Sequence, residues 1–368
     1  MTEPLPATKA KATLSESAQQ QQPASNEGSG AAASQRIPVA TRRVALLSDP
    51  HCYRVGVGPW ALVGKRIVGW GNLVMNRRNQ FDAACFARAV HRAHEIGVDL
   101  LLLSGDLTQT ALSSEFRMAR RILEQFPGEK LVIPGNHDRY TWLAQWSRRF
   151  ERNIHSVGAA PRYPYRRELD DHVRLIGLDP TRPSMNARGT LPLLQLRRLE
   201  QELKAAREAQ AITLLACHYP VVVPPKVLHR SSHKLTNETD LRDLLVEHKQ
   251  PVIYCNGHIH RMWVYQPEEA PHILTLNPGS CGTFSREAPL GNGFMELVFE
   301  RFADGTHRFT VHAHRQAITG RWLTREITTV PKVEELGREL ISPRLVTFPQ
   351  QAESPEDEED SDAETLHS

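Results

Sequence analysis

The central part of the chain alternates short apolar runs with longer amphipathic stretches. Continuous apolar runs of this length are typical of β-strands that are covered on both faces. Such runs lie at 43–49, 98–106, 130–136, 173–179, 211–218, 251–258, 272–280, 294–300 and 307–314, the last of which we expect to be the final strand. Helices are predicted at 80–96, 113–126, 191–209 and 238–249, with a start near Asn79 and an N-cap at Asn237. The pattern predicts an α/β protein in which two packed, mixed β-sheets are flanked by helices.

Several of the predicted strands end in side chains that can bind metal. These are Asp49 and His51, then Asp106, then Asn136 and His137, then His218, and finally His258 and His260. Each motif alone also fits a turn or a buried core residue, but their recurrence at successive strand ends favours one shared site. The carboxyl ends of strands border the binding crevice in open α/β sheets. Imidazole, carboxylate and amide ligands suit Zn, Fe or Mn.

The number of these ligands exceeds what a single ion takes. Two ions that share a bridging carboxylate accommodate the set. A pair of cations about 3.5–4 Å apart can clamp the attacking and leaving oxygens of a phosphoryl displacement. The sequence therefore predicts a dinuclear site at the C-terminal ends of the strands. The glycines before several ligands, such as Gly135 and Gly257, would let the backbone approach the ions.

The ordered motifs D-x-H, G-D, G-N-H-D, a lone His and G-H-x-H resemble the signature of the calcineurin-like metallophosphoesterases, over roughly residues 42 to 300. The resemblance implies that family's four-layer αββα sandwich and a hydrolase that attacks a phosphoester with metal-activated hydroxide. It implies two divalent or mixed-valence ions of Mn, Fe or Zn. The implied ligands are Asp49, His51 and His260 for one ion, Asn136, His218 and His258 for the other, and Asp106 for both. His137 would be the catalytic imidazole.

Two positions beside the catalytic imidazole depart from the family pattern or leave their role open. Gln109 stands where many relatives carry a carboxylate that orients the catalytic His. Either another acid does this work, or His137 is tuned differently. Asp138 is interpreted as a turn or supporting residue.

The insertion at residues 54–79 leaves the end of the first predicted strand and should lie over the metal site. Its apolar residues recur at helical spacing on one face, and basic residues lie between them. It is interpreted as an ordinary helical cap, as a lid whose apolar face at 60–78 contacts acyl chains or a membrane, or as a device that steers an anionic nucleotide. The candidate substrate contacts are Trp60, Arg66, Trp70 and Arg139.

The motifs and the insertion leave three hypotheses about the function. The G-N-H-D form resembles class III cyclic nucleotide phosphodiesterases. The hydrophobic insertion resembles UDP-2,3-diacylglucosamine hydrolases, which cleave a lipid-linked diphosphate, although one branch of those enzymes has Arg where His137 stands. The third hypothesis is a non-catalytic binding scaffold, a use of this fold that accompanies loss of ligands. None of the motif ligands is missing here, which favours an enzyme over the scaffold, and of the two enzymes a phosphodiesterase is expected.

Composition and charge indicate the class of partner and the compartment of the protein. The net charge of +3 and the lack of a second aromatic–basic strip argue against a nucleic-acid partner. Five cysteines without a CxxC pair, no signal-peptide pattern and no apolar run of membrane-spanning length predict a cytoplasmic protein, with the inner membrane face as a peripheral site. We expect disordered tails at 1–38 and 351–368, a phosphoesterase domain at 39–320 and a C-terminal extension at 321–350.

Overall fold

The computed structural model describes residues 37–53, 81–184, 186–225, 227, 231–283, 293–317 and 319–330. The insertion at 54–79, with the predicted substrate contacts Trp60, Arg66 and Trp70, lies outside these ranges, as do nearly all of the N-terminal tail and the whole acidic tail. The chain divides into Met1–Ile37 and Pro38–Ser368, and every element below belongs to the second unit.

The described residues form twelve β-strands and six α-helices. The strands are β1 (Ala40–Leu47), β2 (Leu100–Leu103), β3 (Glu129–Val132), β4 (Tyr165–Glu168), β5 (Val173–Gly177), β6 (Ile212–Ala216), β7 (Val252–Cys255), β8 (Met262–Tyr265), β9 (Ile273–Pro278), β10 (Gly293–Arg301), β11 (His307–Gln316) and β12 (Trp322–Val330). The helices are α1 (Ala83–Glu95), α2 (Ser113–Leu123), α3 (Trp142–Trp146), α4 (Arg149–Ile154), α5 (Leu193–Glu208) and α6 (Glu238–His248). Short 3-10 turns lie at His155–Val157 and Ser231–His233.

The strands form two six-stranded sheets. The first has the order β12–β11–β10–β1–β2–β3, and the second has the order β4–β5–β6–β7–β9–β8. In the first sheet β1, β2 and β3 are parallel, while β10, β11 and β12 are joined by antiparallel pairs. In the second sheet β5, β6, β7 and β9 are parallel, and the edge strands β4 and β8 are antiparallel to their neighbours. Both sheets are therefore mixed, as predicted.

Three apolar clusters hold the layers together. Alternate residues of β1 point to opposite faces, as the two-residue period of a strand requires. Val44 and Leu46 pack in the cluster between the two sheets, whereas Ala45 and Leu47 pack against α1 and α2. A third cluster joins the second sheet to α5 and α6. The order of layers is helix, sheet, sheet, helix, which confirms the predicted αββα sandwich.

The boundaries of the predicted helices shift by a few residues. The first helix begins after Asp82 rather than near Asn79, because the Asp82 carboxylate accepts a hydrogen bond from the Ala84 amide at 2.8 Å. Asn237 stands at the N-cap of α6, but its side chain bonds the backbone of Leu191 at 3.0 Å in both directions. Asn237 thus ties α6 to the start of α5 instead of capping its own helix.

The prediction that 307–314 is the last strand was wrong. β12 pairs antiparallel with β11, so the first sheet extends past residue 320 into the predicted C-terminal extension. The described side chains of β12 are mostly exposed, and a polar edge strand carries no continuous apolar run. No helix in the described ranges has both the length and the apolar character needed to cross a bilayer.

Candidate metal centre

The predicted ligands converge at one edge of the sandwich, where the parallel strands of both sheets end. β1, β2 and β3 lead to the ligands of the first sheet, and β6 and β7 lead to those of the second. The side chains of Asp49, His51, Asp106 and His218 are buried, whereas Asn136, His137, His258 and His260 are half-buried. The site therefore has a buried floor and a rim that solvent reaches. All eight predicted residues lie in this one place.

The backbone of the site is strained where the ligands lie. Nine non-glycine residues in the described ranges have positive φ. Five of them are Asp49, His51, Asp106, His258 and His260, with φ between 45° and 74°. A side chain in this region costs about 1–3 kcal/mol unless surrounding structure enforces it, and such residues cluster at functional sites. The concentration of strain at the predicted ligands supports a functional role for this edge.

The first ligand group consists of Asp49, His51 and His260. The Nε2 atoms of His51 and His260 lie 2.9 Å apart. Asp49 Oδ1 lies 3.3 Å from His260 Nε2 and 3.7 Å from His51 Nε2. Asp49 Oδ1 is buried and accepts no hydrogen bond within the described structure. The three side chains can converge on one cation.

The second ligand group is built from Asn136, His218 and His258. His218 Nε2 lies 3.1 Å from Asn136 Oδ1 and 3.2 Å from His258 Nδ1. The remaining ring nitrogens are held from outside: His218 Nδ1 donates to the Ser104 carbonyl and His258 Nε2 to the His233 carbonyl, each at 2.8 Å. These outer hydrogen bonds fix the tautomers and leave the facing nitrogens available to a metal.

Asp106 lies between the two groups. Its Oδ2 atom is 3.7 Å from His51 Nε2 and 3.3 Å from His218 Nε2, while Oδ1 accepts a hydrogen bond from the His137 amide at 2.8 Å. Burial opposes ionisation of Asp106, but the charges of His218, His137 and His51 outweigh burial and hold the pKa of the carboxyl well below its usual value. A carboxylate that reaches both groups has the position that a bridging ligand of two ions requires.

Electrostatics couple metal binding to proton release. Burial lowers the pKa of His218, but the Asp106 carboxylate outweighs it and raises the pKa to about 9. Burial, aided by the charge of His218, holds the pKa of His258 well below its usual value. His258 is therefore a neutral imidazole, which is the form that ligates metal, whereas an incoming cation must displace a proton from His218.

The spacing of the ligand atoms fits bound metal ions. Nitrogen and oxygen ligands at about 2.0–2.2 Å from an ion lie roughly 2.9–3.5 Å from one another at the usual coordination angles. The distances within the two groups fall in or close to this range. Three sets of ligand atoms lie within 4.8 Å of one another: Asp49, His51 and His260; His51, Asp106 and His137; and Asp106, His218 and His258. The donor set, with an Asp49 oxygen that accepts no hydrogen bond in the described structure, therefore fits divalent cations.

Two glycines allow the loops to approach the carboxylates. A Cβ atom at Gly135 would lie 2.1 Å from Asp106 Oδ1, and one at Gly257 would lie 1.9 Å from Ser48 Oγ and 2.5 Å from Asp49 Oδ2. Any larger residue would displace a proposed ligand. The prediction that these glycines serve the close approach of the backbone agrees with this geometry.

Within the described part of the chain, a main-chain carbonyl orients His137. Its Nδ1–H donates to the backbone oxygen of Gln109 at 2.7 Å, and its ring stacks on Tyr140 with centroids 5.6 Å apart. The Gln109 side chain plays no part in this hydrogen bond. The backbone carbonyl of Gln109 therefore orients the imidazole, and it does so as a neutral group.

Glu115 supports that loop from the first turn of α2. The buried carboxylate accepts hydrogen bonds from the Thr110 amide at 2.9 Å, the Thr110 hydroxyl at 3.0 Å and the Leu112 amide at 3.1 Å. The Gln109 carbonyl belongs to the residue directly before this anchored segment. Glu115 therefore holds the segment next to the Gln109 carbonyl and positions His137 through it.

Glu115→Gln is expected to lower kcat about 10- to 100-fold, with smaller changes in KM and metal content, because a displaced Gln109 carbonyl misorients His137. The measurement is steady-state kinetics over a pH range, together with metal analysis of the purified variant. The control is Glu124→Gln, which alters an exposed carboxylate just beyond the same helix. A rate that stays at the wild-type level would contradict the positioning role.

Asp138 braces the turn beneath the site. Its buried carboxylate accepts hydrogen bonds from the amides of Leu107, Thr108 and Gly135 at 3.0–3.1 Å and from the Thr108 hydroxyl at 2.9 Å. Burial, together with the charge of Asp106, raises the pKa of Asp138 to about 7 against these hydrogen bonds. The side chain joins the loop after β2 to the loop after β3, in keeping with the supporting role predicted for it.

The structure corrects the prediction that Arg139 contacts substrate. Its side chain is 4% exposed, and its guanidinium pairs with Glu151 and Asp179, each at 2.8 Å. These carboxylates, acting against burial, raise the pKa of Arg139 further above its already high value. Arg139 joins α4 to the loop after β5 and has no free face toward the rim.

Sequence reasoning missed several residues that shape the site. Phe81 packs against the rings of His51 and His260, with centroids 4.6 Å and 5.7 Å away. It had been assigned to the first helix, and no local pattern marked it as a site residue. His233 and Ser104 act through backbone carbonyls, which any residue type supplies. Glu115 could have been found, because a Glu in the first turn of a helix commonly reaches back to main-chain amides.

The fold and the site together define a metal-dependent hydrolase of phosphoesters. Residues 42–262 match the family described as calcineurin-like phosphoesterase. This match covers more than half of the chain, and the chain belongs to that family. The resemblance seen in the motifs is thereby confirmed at the level of the family, the fold and the class of reaction.

Named relatives are similar to part of the chain. A probable glycerophosphodiester phosphodiesterase of Arcobacter nitrofigilis is 26% identical over 45% of this chain, which spans 57% of that relative's length. Probable cyclic nucleotide phosphodiesterases of Vesicomyosocius okutanii and Synechococcus are 25% and 28% identical over 57% and 58% of this chain, and over 82% and 76% of their own lengths. A dimetal phosphatase from Danio rerio superposes with a TM-score of 0.55 at 14% identity, covering 79% of this chain and 99% of that one. The last likeness shows the fold.

Proposed function

We propose that the chain is a dinuclear metal-dependent phosphodiesterase. In this proposal one ion is held by Asp49, His51 and His260, the other by Asn136, His218 and His258, and Asp106 binds both. The observation that carries the proposal is the position of Asp106, whose Oδ2 lies within 3.7 Å of His51 and 3.3 Å of His218. The family match and the phosphodiesterase names of the relatives support hydrolysis of a phosphodiester.

The proposed roles divide between ion binding and proton transfer. Two bound divalent ions, of Mn, Fe or Zn, would supply positive charge for the phosphoryl oxygens and lower the pKa of water. The buried floor residues would bind the ions from below. The His258 and His260 rings, which follow β7 of the second sheet, would bind them from the rim. His137, fixed by the Gln109 carbonyl at 2.7 Å, would stabilise phosphoryl charge or protonate the leaving oxygen.

The substrate class is tested by a hydrolysis screen of the Mn-loaded chain. The substrates are cyclic nucleotides, glycerophosphodiesters, UDP-linked acyl sugars, phosphomonoesters and a generic bis-aryl phosphodiester. We expect the diesters to be hydrolysed faster than the monoesters. A preference for the UDP-linked acyl sugar would select the lipid diphosphate alternative. If the purified chain holds no stoichiometric transition metal and hydrolyses none of these compounds, the binding-scaffold hypothesis replaces the enzyme.

The location of the protein belongs to the same proposal. A cytoplasmic phosphodiesterase would meet soluble nucleotides, whereas one bound to the inner membrane face would also meet lipid-linked phosphoesters. The membrane contact predicted at residues 60–78 lies outside the described residues. A membrane contact within the described residues would therefore involve a different surface.

A further inference from the structure

Exposed apolar side chains gather at two helices in the described structure. Trp142, Leu143 and Trp146 of α3 are 75%, 53% and 83% exposed, and Leu193 and Leu194 at the start of α5 are 62% and 58% exposed. We call these five side chains the rim patch. The other large hydrophobic side chains with comparable exposure in the described ranges are Ile37, Val39 and Leu323. Five of the eight exposed large hydrophobic side chains in the described ranges thus lie on these two helices.

The two parts of the rim patch are connected through the buried Arg139. Arg139 Nη2 binds Asp179 Oδ2 at 2.8 Å, and the Gln195 side chain bonds the Asp179 backbone at 2.8 Å and 3.1 Å. Gln195 directly follows Leu194, and Arg139 lies three residues before Trp142. This network fixes the start of α5 to the loop that leads into α3.

The α3 part of the rim patch follows directly on the loop that carries His137. Tyr140 stacks on His137 and lies two residues before Trp142. Arg149, at the start of α4, donates to the Ala111 carbonyl at 3.1 Å, two residues from the Gln109 carbonyl that orients His137. A surface that covers the patch would therefore lie beside the opening of the site.

Positive charge flanks the apolar side chains. Arg148 follows α3, and Arg152 lies four residues further on. Arg197 and Arg198 lie four residues after Leu193 and Leu194, which is about one turn of α5. All four are exposed, and none forms an ion pair with a described residue. The nearby Glu151 is already paired with Arg139. The patch therefore combines apolar side chains with exposed positive charge.

We propose that the rim patch docks on an anionic membrane surface. Trp142 and Trp146 are largely exposed, and a second copy of the chain on this patch would bring the same arginines together, where like charges repel. Protruding Trp and Leu side chains flanked by arginines are typical of segments that insert into the headgroup region of a bilayer. The arginines match the negative potential of anionic lipids. This chemistry favours a lipid surface over a second copy of the chain.

Membrane docking would present the catalytic rim to the lipid headgroups. A phosphoester carried by a lipid could then reach the metal ligands without leaving the bilayer. This consequence rests on the proposed function, whereas the docking itself does not.

The test is cosedimentation with vesicles of phosphatidylcholine, alone or mixed with phosphatidylglycerol. The wild-type chain is expected to bind the mixed vesicles more tightly, and added salt should weaken the binding. The double variant W142S/W146S should lose at least about tenfold in affinity, because each indole removes a large apolar area from water on binding. The control V39S/L323S changes two exposed apolar residues outside the patch and should bind as the wild type does.

Three outcomes would overturn the docking proposal. They are wild-type binding that does not depend on phosphatidylglycerol, equal binding by both double variants, and a concentration-dependent dimer that W142S/W146S abolishes. Hydrolysis of the soluble bis-aryl phosphodiester is measured separately and should be equal in all three proteins. If the Mn-loaded wild type binds vesicles but hydrolyses no phosphoester, the proposed function fails while the membrane surface stands.

Discussion

His137→Ala is expected to lower turnover about 100- to 10,000-fold while the protein keeps its metal. The imidazole has a ring nitrogen within 4.8 Å of ligand atoms on His51 and Asp106, so it could act either on the substrate or as a further ligand. Its Nδ1–H is committed to the Gln109 carbonyl, and the stack on Tyr140 restrains the ring. These contacts favour a fixed catalytic imidazole.

The main-chain contact of His137 explains why the metal should remain. The His137 amide donates to Asp106 Oδ1 at 2.8 Å, and this hydrogen bond survives truncation of the side chain. The bridging carboxylate therefore keeps its orientation in the alanine variant. The measurement is kcat with the bis-aryl phosphodiester, together with metal analysis of the same sample.

The matched control is His155→Ala, which removes an exposed imidazole from the 3-10 turn after α4. It should leave both the rate and the metal content unchanged. If His137→Ala loses as much metal as rate, His137 is a ligand and the proposed division of roles is wrong. If the rate stays within about threefold of wild type, another group supplies the proton or the charge.

The strands that position the site could be predicted because they are buried on both faces. Runs such as 211–218 and 251–258 are continuously apolar, so the polar residue at each end stands out. The edge strands β4 and β12 could not be found in this way, although β3, which also lies at an edge, could. β4 has alternating exposure, and β12 is largely exposed, so neither has the continuous apolar pattern of an interior strand.

The ligands of the site were easier to predict than the groups that support them. A ligand needs a particular side chain, and its residue type is visible in the sequence. The groups that orient His137, His218 and His258 are carbonyls of Gln109, Ser104 and His233, and only the fold brings them there. Arg139 shows the opposite error, because a basic residue after a catalytic motif suggests a substrate contact until its buried ion pairs are seen.

Asp106→Ala is expected to remove both ions, because the carboxylate is the one side chain proposed to be shared. The effect should exceed the roughly 10- to 100-fold loss of metal affinity that follows removal of an outer hydrogen-bonding partner. The carboxylate also offsets the positive charge that gathers on His218, whose pKa it raises to about 9. Without Asp106, the pKa of His218 falls and its imidazole stays neutral, so the metal would be lost through the missing anionic oxygen and not through repulsion by an imidazolium.

The comparison that isolates the bridge is His260→Ala. His260 is half-buried at the rim and contacts Asp49 and His51 of the first group, at 3.3 Å and 2.9 Å. It should therefore cost one ion and leave the second in place. Metal content per chain is measured after Mn loading and desalting, with circular dichroism to show that both variants remain folded. Equal metal loss in the two variants would contradict a bridging role for Asp106, because only the loss of a shared ligand should cost both ions.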